Sequence, residues 1–167
     1  MIRRLTITDA KALNLFLDRN FRADVLSGGT DAPPEEALKA QVAIAPTWVY
    51  DDAGIVGVLG PAMFGERLVD GVKRAFVWFN RLVVDYAIYG TSRDQALQIA
   101  RDLTLAAADD ILAERPVDDI LVVGPTDSRG ASFCRLLKFT ETLNGNESHF
   151  ECPFKEIWDR AKVARLP

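Results

Sequence analysis

The residues whose types and spacing are most suited to binding a ligand lie in the segment YGTSRDQAL. In this segment a strand-like run is followed by a long helical pattern. Backbone amides at the start of a helix can hold an anion when glycines let a phosphate approach the backbone. This segment has one glycine, Gly90, and it places Ser92, Asp94 and Gln95 where a phosphate-binding turn usually has small residues. The spacing of Ser92 and Gln95 predicts a capping box instead, in which the two side chains satisfy amides of the helix start. Of the two interpretations, a phosphate site and a self-capped helix, we favour the second.

Four further side chains could take part in proton transfer or metal binding. Cys134 could donate a proton, but it falls within an apolar helical pattern, which predicts a core residue. Glu66 and Asp85 flank the best predicted strand and could act as a base for an amine, although carboxylates at strand ends are usually only solvated. His149, the one histidine, has no cysteine or carboxylate at ligand spacing, so we predict no metal site.

The composition indicates a soluble globular protein. Apolar residues make up 49% of the 167 residues and charged residues 26%, which excludes disordered and fibrous classes. The net charge is −4 and the sequence has no long block of basic residues, which argues against nucleic-acid binding. Two cysteines are too few for a disulfide framework, and no apolar run is long enough to span a bilayer. We therefore predict a reduced, cytoplasmic setting without a membrane segment.

Hydrophobic periodicity predicts one domain, residues 1–154, followed by a basic helical tail, residues 155–167. The order is strand, helix, helix, hairpin, long strand, long helix, strand, helix and hairpin. The predicted segments are a helix from about Pro33 to Ala43 capped by Asp31, a central strand RAFVWFNRLVVD, a long helix from Ser92 to about Ala113, and a last hairpin that turns at Asn144 and Gly145. The segments GTDAPP and GPAMFGERLVDG are predicted loops.

The tail KEIWDRAKVARLP carries an apolar stripe of Ile157, Trp158, Ala161 and Ala164 on a short helix. One interpretation is that this stripe packs onto its own domain, and we prefer it slightly. The other is a docking helix, in which Trp158 anchors the chain to a protein partner or to a second copy.

The predicted order of elements resembles the GNAT N-acetyltransferase superfamily over almost the whole chain. The resemblance implies an α+β, three-layer fold with a mixed, mostly antiparallel sheet and helices on both faces. In that family the central strand ends in a V-D-P-like step before the long helix. The segment LVVDYAIYG then places Leu82 and Val84 at the strand positions that face pantetheine, Asp85 at the step, and Tyr86 where proline is usual.

The family's turn, of pattern Q/R-x-x-G-x-G/A, binds the pyrophosphate of acetyl-CoA through its amides. In this alignment Tyr89 takes the Q/R position, Ser92 the first required glycine and Asp94 the glycine or alanine, while Gly90 matches a less demanding glycine. Further on, Cys134 takes the position of a tyrosine that in many members protonates the departing thiolate. All three defining positions of the turn depart from the pattern, so we expect no bound cofactor.

These departures predict a GNAT-like protein with a degraded acyl-CoA site that serves as a non-catalytic binding or assembly module. The segment VVGPTDSRGASFCRLL is also loosely similar to GNAT-like virion proteins of short-tailed phages, which implies a virion as an alternative location. The alternative function is an active N-acetyltransferase that moves an acetyl group from acetyl-CoA to an amine. In that case Leu82 and Val84 hold pantetheine, and Cys134 and Asp85 are the candidate catalytic residues. A third possibility is a domain that senses an acyl-CoA without turning it over.

Overall fold

The computed structural model describes residues 1–23 and 32–163. The predicted cap Asp31 lies outside this range. The strands and helices within it are β1 (Ile2–Arg4), α1 (Ala10–Ala23), α2 (Glu35–Ile44), β2 (Trp48–Asp51), β3 (Ile55–Leu59), β4 (Ala62–Val69), β5 (Val72–Phe79), β6 (Leu82–Val84), α3 (Tyr86–Thr91), α4 (Arg93–Glu114), β7 (Asp119–Pro125), α5 (Arg129–Leu136), β8 (Thr140–Asn144), β9 (Glu147–Pro153) and α6 (Ile157–Val163).

The described chain divides into two compact units. Unit 1 comprises Met1–Pro61 and Arg81–Leu103, and unit 2 comprises Ala62–Asn80 and Thr104–Pro167. The boundaries at 61 and 80 coincide with interruptions of two strands. Pro61 has no N–H to donate, so hydrogen bonding along the first of these strands cannot continue through it. The predicted central strand is likewise two strands, β5 and β6, with Asn80 and Arg81 between them.

Unit 1 is an antiparallel sheet of order β1-β2-β3-β6 with helices on both faces. Helices α1 and α2 cover one face with fully buried leucines, which pack against Val49 and Val58 of the sheet. Helix α4 covers the other face and comes closest at Gly57, where a Cβ would lie 2.7 Å from Cγ2 of Ile99. A side chain at position 57 would therefore push α4 away from the sheet. The buried leucines are Leu13, Leu17 and Leu38.

Unit 2 is a five-stranded sheet of order β4-β5-β7-β9-β8. Only β5 and β7 run parallel, and the other neighbours are antiparallel. One face carries the core side chains Val77, Ile120, Phe150 and Cys152, each 3% exposed or less. The prediction of a mixed, mostly antiparallel sheet is therefore confirmed.

The prediction that GPAMFGERLVDG is a loop was wrong. Residues 62–69 form β4, which pairs with β5 along its full length. Asp70 and Gly71 connect the two strands with φ values of 50° and 79°, the two positive φ angles of a type I′ turn. An Asp-Gly pair between strand-like runs is a strong hairpin signal, and it could have been used here. In the last hairpin the connecting residues are Gly145 and Asn146, because Asn144 already pairs with Glu147.

The C-terminal helix α6 packs within unit 2, as the preferred interpretation of the tail predicted. Ile157 and Ala161 are fully buried. The indole Nε1 of Trp158 donates to Oδ1 of Asp109 at 2.8 Å, and its ring meets that of Phe154 edge-on with centroids 5.5 Å apart. Residues 164–167, and with them Ala164 of the predicted stripe, lie outside the described range.

Candidate functional site

The strand β6 positions the two side chains that the resemblance assigns to pantetheine. Val84 pairs with Gly57 and Leu82 with Leu59, so both lie on the face of the sheet that α4 covers. Val83, between them, packs on the opposite face against the cluster formed with α1 and α2. Leu82 and Val84 are half-buried, which leaves part of each side chain accessible along this strand.

Asp85 caps a short helix that the sequence analysis did not predict. Its side chain accepts from the amide of Ala87 at 3.0 Å and pairs with the guanidinium of Arg19, while its own amide donates to the carbonyl of Val56. The next amide, that of Tyr86, donates to Oδ1 of Asn20 at 2.6 Å. The carboxylate of Asp85 is thus engaged in fixing the start of α3, which argues against its use as a base. Arg19 and Asn20 on α1 are each 66 residues from the residue that they contact, and no local sequence signal pointed to them.

Tyr89 and Gly90 lie inside α3 and therefore do not form an open phosphate-binding turn. The hydroxyl of Thr91 donates to the carbonyl of Ala87 at 2.9 Å near the end of this helix. A Cβ on Gly90 would meet no atom within 4 Å, so the absence of a side chain there serves no close approach. The Tyr89 ring lies under the guanidinium of Arg93, 5.8 Å from its centroid. Helix α3 therefore occupies positions that the resemblance assigns to the turn.

Ser92 caps the start of α4, as the capping interpretation predicted, but only half of the capping box forms. Oγ of Ser92 accepts from the amide of Gln95 at 3.2 Å. The amide of Ser92 donates to the carbonyl of Ile88 at 2.7 Å, so it does not need the Gln95 side chain. Among the first four amides of the helix, that of Ala96 also bonds to the Ser92 carbonyl. Of these four amides, the described hydrogen bonds engage those of Gln95 and Ala96 but not those of Arg93 and Asp94.

Asp94 is exposed in the first turn of α4. A carboxylate there interacts favourably with the helix dipole and repels an incoming phosphate. At 4 Å this repulsion is about 4 kcal/mol at the effective dielectric of a protein surface and falls to about 1 kcal/mol in bulk water. Asp94 therefore weakens an anion site at this position without closing it.

Cys134 lies on α5 in unit 2, and its burial confirms the prediction of a core residue. The side chain is 5% exposed, and desolvation, with a smaller contribution from Cys152, raises the pKa of its thiol to about 12. Its carbonyl accepts from the amide of Phe139 at 3.0 Å, where α5 ends. At neutral pH Cys134 is a protonated thiol enclosed by apolar side chains, which is an unfavourable position for an acid that must reach a substrate.

We expect a thiol reagent to leave Cys134 unmodified in the native protein, because the thiolate is the reactive species and burial disfavours it. Cys152 is fully buried, and it should also remain unmodified in the native protein. The measurement is the rate of labelling with a chromogenic disulfide with and without denaturant. A Ser132→Cys variant, whose new thiol lies on the exposed side of α5, is the positive control. Native labelling of Cys134 as fast as that of the introduced cysteine would restore it as a candidate acid.

The remaining candidates do not form a site. Glu66 is exposed and pairs with Lys73 at 2.5 Å, and His149 lies on β9 with Nε2 3.9 Å from Oε2 of Glu147. Among the described residues, no group of three or more His, Cys, Asp or Glu side chains could hold a metal ion. The described helices include none with both the length and the apolarity needed to cross a membrane.

Several solved acetyltransferases are similar in structure to this chain. A GNAT-family acetyltransferase from Streptococcus pneumoniae matches with a TM-score of 0.64 at 12% identity, over 92% of this chain and 98% of that one. The PaiA N-acetyltransferase from Thermoplasma acidophilum, in complex with coenzyme A, matches with a TM-score of 0.64 at 15% identity over the same shares. YncA from Salmonella typhimurium, a putative acetyltransferase with acetyl-CoA, matches with a TM-score of 0.62 at 15% identity, over 92% and 93%.

No protein-family model and no curated sequence matches the chain. Because the identities to the solved structures are low, these likenesses establish the fold and not the activity. The chain has the GNAT fold, as its order of elements predicted.

Proposed function

We propose that this chain is a GNAT-fold binding module without acetyltransferase activity. The observation that carries the proposal is the hydrogen bond from the Gln95 amide to Oγ of Ser92. A phosphate at the start of α4 would compete with this bond, and the Ser92 side chain stands where the family pattern has a glycine. A helix start that is already capped gains less from an anion than an open one.

Two further groups support the proposal because neither is available for catalysis. The carboxylate of Asp85 is engaged with Arg19 and with the amide of Ala87. The thiol of Cys134 is buried and holds its proton at neutral pH. An active enzyme built on this chain would depend on positioning the acceptor amine beside the thioester, without help from either residue.

The test is calorimetric titration of the purified chain with acetyl-CoA. We expect a dissociation constant weaker than about 10 μM, or about −7 kcal/mol. The double variant Ser92→Gly, Asp94→Gly should bind more tightly, because it removes the competing hydroxyl and the negative charge. Asp102→Asn, which removes one carboxylate about two turns further along the same helix, is the matched control and should not tighten binding.

Tight binding by the unmodified chain would favour the second candidate, an active N-acetyltransferase. The observation in its favour is that no described hydrogen bond engages the amides of Arg93 and Asp94, in a turn that also carries the exposed Arg93 guanidinium. Release of free coenzyme A in the presence of amines would then identify an enzyme. Binding without release would identify an acyl-CoA sensor.

The assembly role rests on the sequence resemblance alone. A place in a phage virion and docking through the tail around Trp158 remain predictions. Light scattering of the purified chain tests self-assembly directly, and a monomer at all concentrations would leave only a heterologous partner.

A further inference from the structure

One face of the unit 2 sheet is accessible to solvent. The helices of this unit contact the opposite face. The guanidinium of Arg115, which follows α4, lies 4.1 Å from the ring centroid of Phe64, and that of Arg135 on α5 lies 5.7 Å from the ring centroid of Phe150. We call the accessible face the open face. It includes Met63, Arg67, Phe76, Trp78, Asp119 and Leu121. Of its described side chains, that of Asp119 alone is buried.

The centre of the open face is apolar. Met63 lies opposite Trp78 in the register of β4 and β5, and Trp78 lies beside Leu121 of β7. Met63 is 42% exposed and Trp78 38%, while Leu121 is half-buried. In the next row the ring of Phe76 lies across Gly65, where a Cβ would come within 2.6 Å of its Cζ. A solvated sheet face normally carries polar residues, so adjoining apolar side chains of this kind indicate an interaction surface.

The charged side chains next to this apolar centre are already paired with one another. Asp119 accepts hydrogen bonds from Arg74 and from Arg67, and Arg67 also pairs with Glu151. Two arginines and two carboxylates give the cluster no net charge. A nucleic acid is bound mainly by cations that neutralise its phosphates, and both of these arginines already have carboxylate partners. The open face therefore suits a partner surface that is apolar at its centre and has balanced charges around it.

We propose that the open face binds the open face of a second copy of this chain. The surface itself has the properties that its partner needs, so a twofold axis through it brings two identical, self-complementary patches together. The chain has a net charge of −4, and contact between two copies is least opposed where the charges of the surface are balanced. Side chains of the two sheets would interdigitate in a layer about 10 Å thick.

The open face is also large enough for a dimer. Five strands about 4.8 Å apart, the longest of eight residues at about 3.3 Å each, cover roughly 600 Å² in projection. Side chains that stand out from the sheet add accessible area, and a standard interface buries about 800 Å² on each partner. This inference rests on the assembly role within the proposed function, for which it names the surface. It does not depend on whether acetyl-CoA binds.

Sedimentation velocity of the full chain from about 1 μM to about 200 μM, without coenzyme A, tests the proposal. We expect a reversible equilibrium between monomer and dimer. Met63→Lys and Trp78→Lys should each weaken the dimer by about tenfold or more, because each places an unpaired charge at the centre of the interface. Leu68→Lys is the matched control, since Leu68 lies on the same strand as Met63, is 75% exposed and projects from the opposite face. It should dimerise as the unmodified chain does.

Quenching of tryptophan fluorescence by acrylamide gives a second measurement that needs no charged variant. Quenching of the unmodified chain should fall as its concentration rises, because the dimer covers Trp78. In Trp78→Phe this dependence on concentration should disappear. Circular dichroism checks that each variant keeps the secondary structure of the unmodified chain.

Four results would overturn the proposal. The chain could stay monomeric over the whole range, which would leave the open face to a different protein. Met63→Lys could dimerise as tightly as the unmodified chain, or Leu68→Lys could lose the dimer equally. A single-stranded oligonucleotide could bind saturably to the unmodified chain and not to Trp78→Lys, which would identify a nucleic-acid surface. Tight binding of acetyl-CoA contradicts the proposed function and leaves these results unaffected, so the two proposals fail by different measurements.

Discussion

Deletion of residues 155–167 is expected to unfold the protein at equilibrium. The deletion removes Ile157 and Ala161, both fully buried in unit 2, together with the hydrogen bond between Trp158 and Asp109. Loss of a buried isoleucine alone typically costs about 2–5 kcal/mol, and the full deletion should exceed about 5 kcal/mol, which approaches the total stability of a small protein. Circular dichroism during urea unfolding measures the effect without relying on the tryptophan that is lost.

Two point variants separate packing from the loss of chain length. Ile157→Ala should lower the free energy of unfolding by about 3 kcal/mol. Val163→Ala removes an apolar side chain of the same helix that is 69% exposed, and it should change stability by less than about 0.5 kcal/mol. If the chain that lacks residues 155–167 unfolds at the same urea concentration as the full chain, α6 is dispensable for the fold. It would then be available for docking to a partner.

Asp119→Ala should destabilise unit 2 by about 3 kcal/mol, because it leaves two arginines without their shared partner. The Asp119 side chain is almost fully buried and accepts from Nε and Nη2 of Arg74 at 2.8 and 2.6 Å and from Nη2 of Arg67 at 2.9 Å. Glu66→Gln breaks only the exposed pair with Lys73, and as a matched control it should have little effect. An effect of Asp119→Ala no larger than that of Glu66→Gln would show that this network contributes little.

The carboxylate of Asp119 should also make the free energy of unfolding depend on pH in the acid range. Its hydrogen bonds from Arg74, and then from Arg67, lower the pKa of Asp119 in the folded protein. The unfolded chain has a higher pKa, near 3.9, and so binds the proton first as the pH falls. The stabilisation is therefore fully present above about pH 4 and is lost below it. Urea unfolding at a series of pH values should show a steeper loss in acid for the unmodified chain than for Asp119→Asn.

The order of elements could be predicted from the sequence because it depends on local patterns. The apolar spacing that predicts α4 and the two apolar runs around a turn that predict β2 and β3 arise within single segments. The resulting order of elements was enough to indicate the GNAT fold. The features that were missed depend on distant residues. Helix α3 begins where Arg19 and Asn20 hold Asp85 and Tyr86, and no local pattern encodes that pairing.

The candidate site was predicted in part for the same reason. The cap from Ser92 to Gln95 spans three residues, so its spacing could be recognised. The second half of the capping box failed because α3 supplies the Ile88 carbonyl to the Ser92 amide.

The division of the chain into alternating stretches has a consequence for its synthesis. Unit 1 needs β6, which pairs with β3, yet β6 is made after the whole β4–β5 hairpin of unit 2. A nascent chain that ends before Arg81 therefore exposes one edge of β3, and unit 1 cannot close until the first half of α4 has been synthesised. Since proteins usually fold from the N-terminus in contiguous domains, this chain must keep both units incomplete for longer than two consecutive domains would. For the same reason no single contiguous segment of the chain encodes either unit by itself.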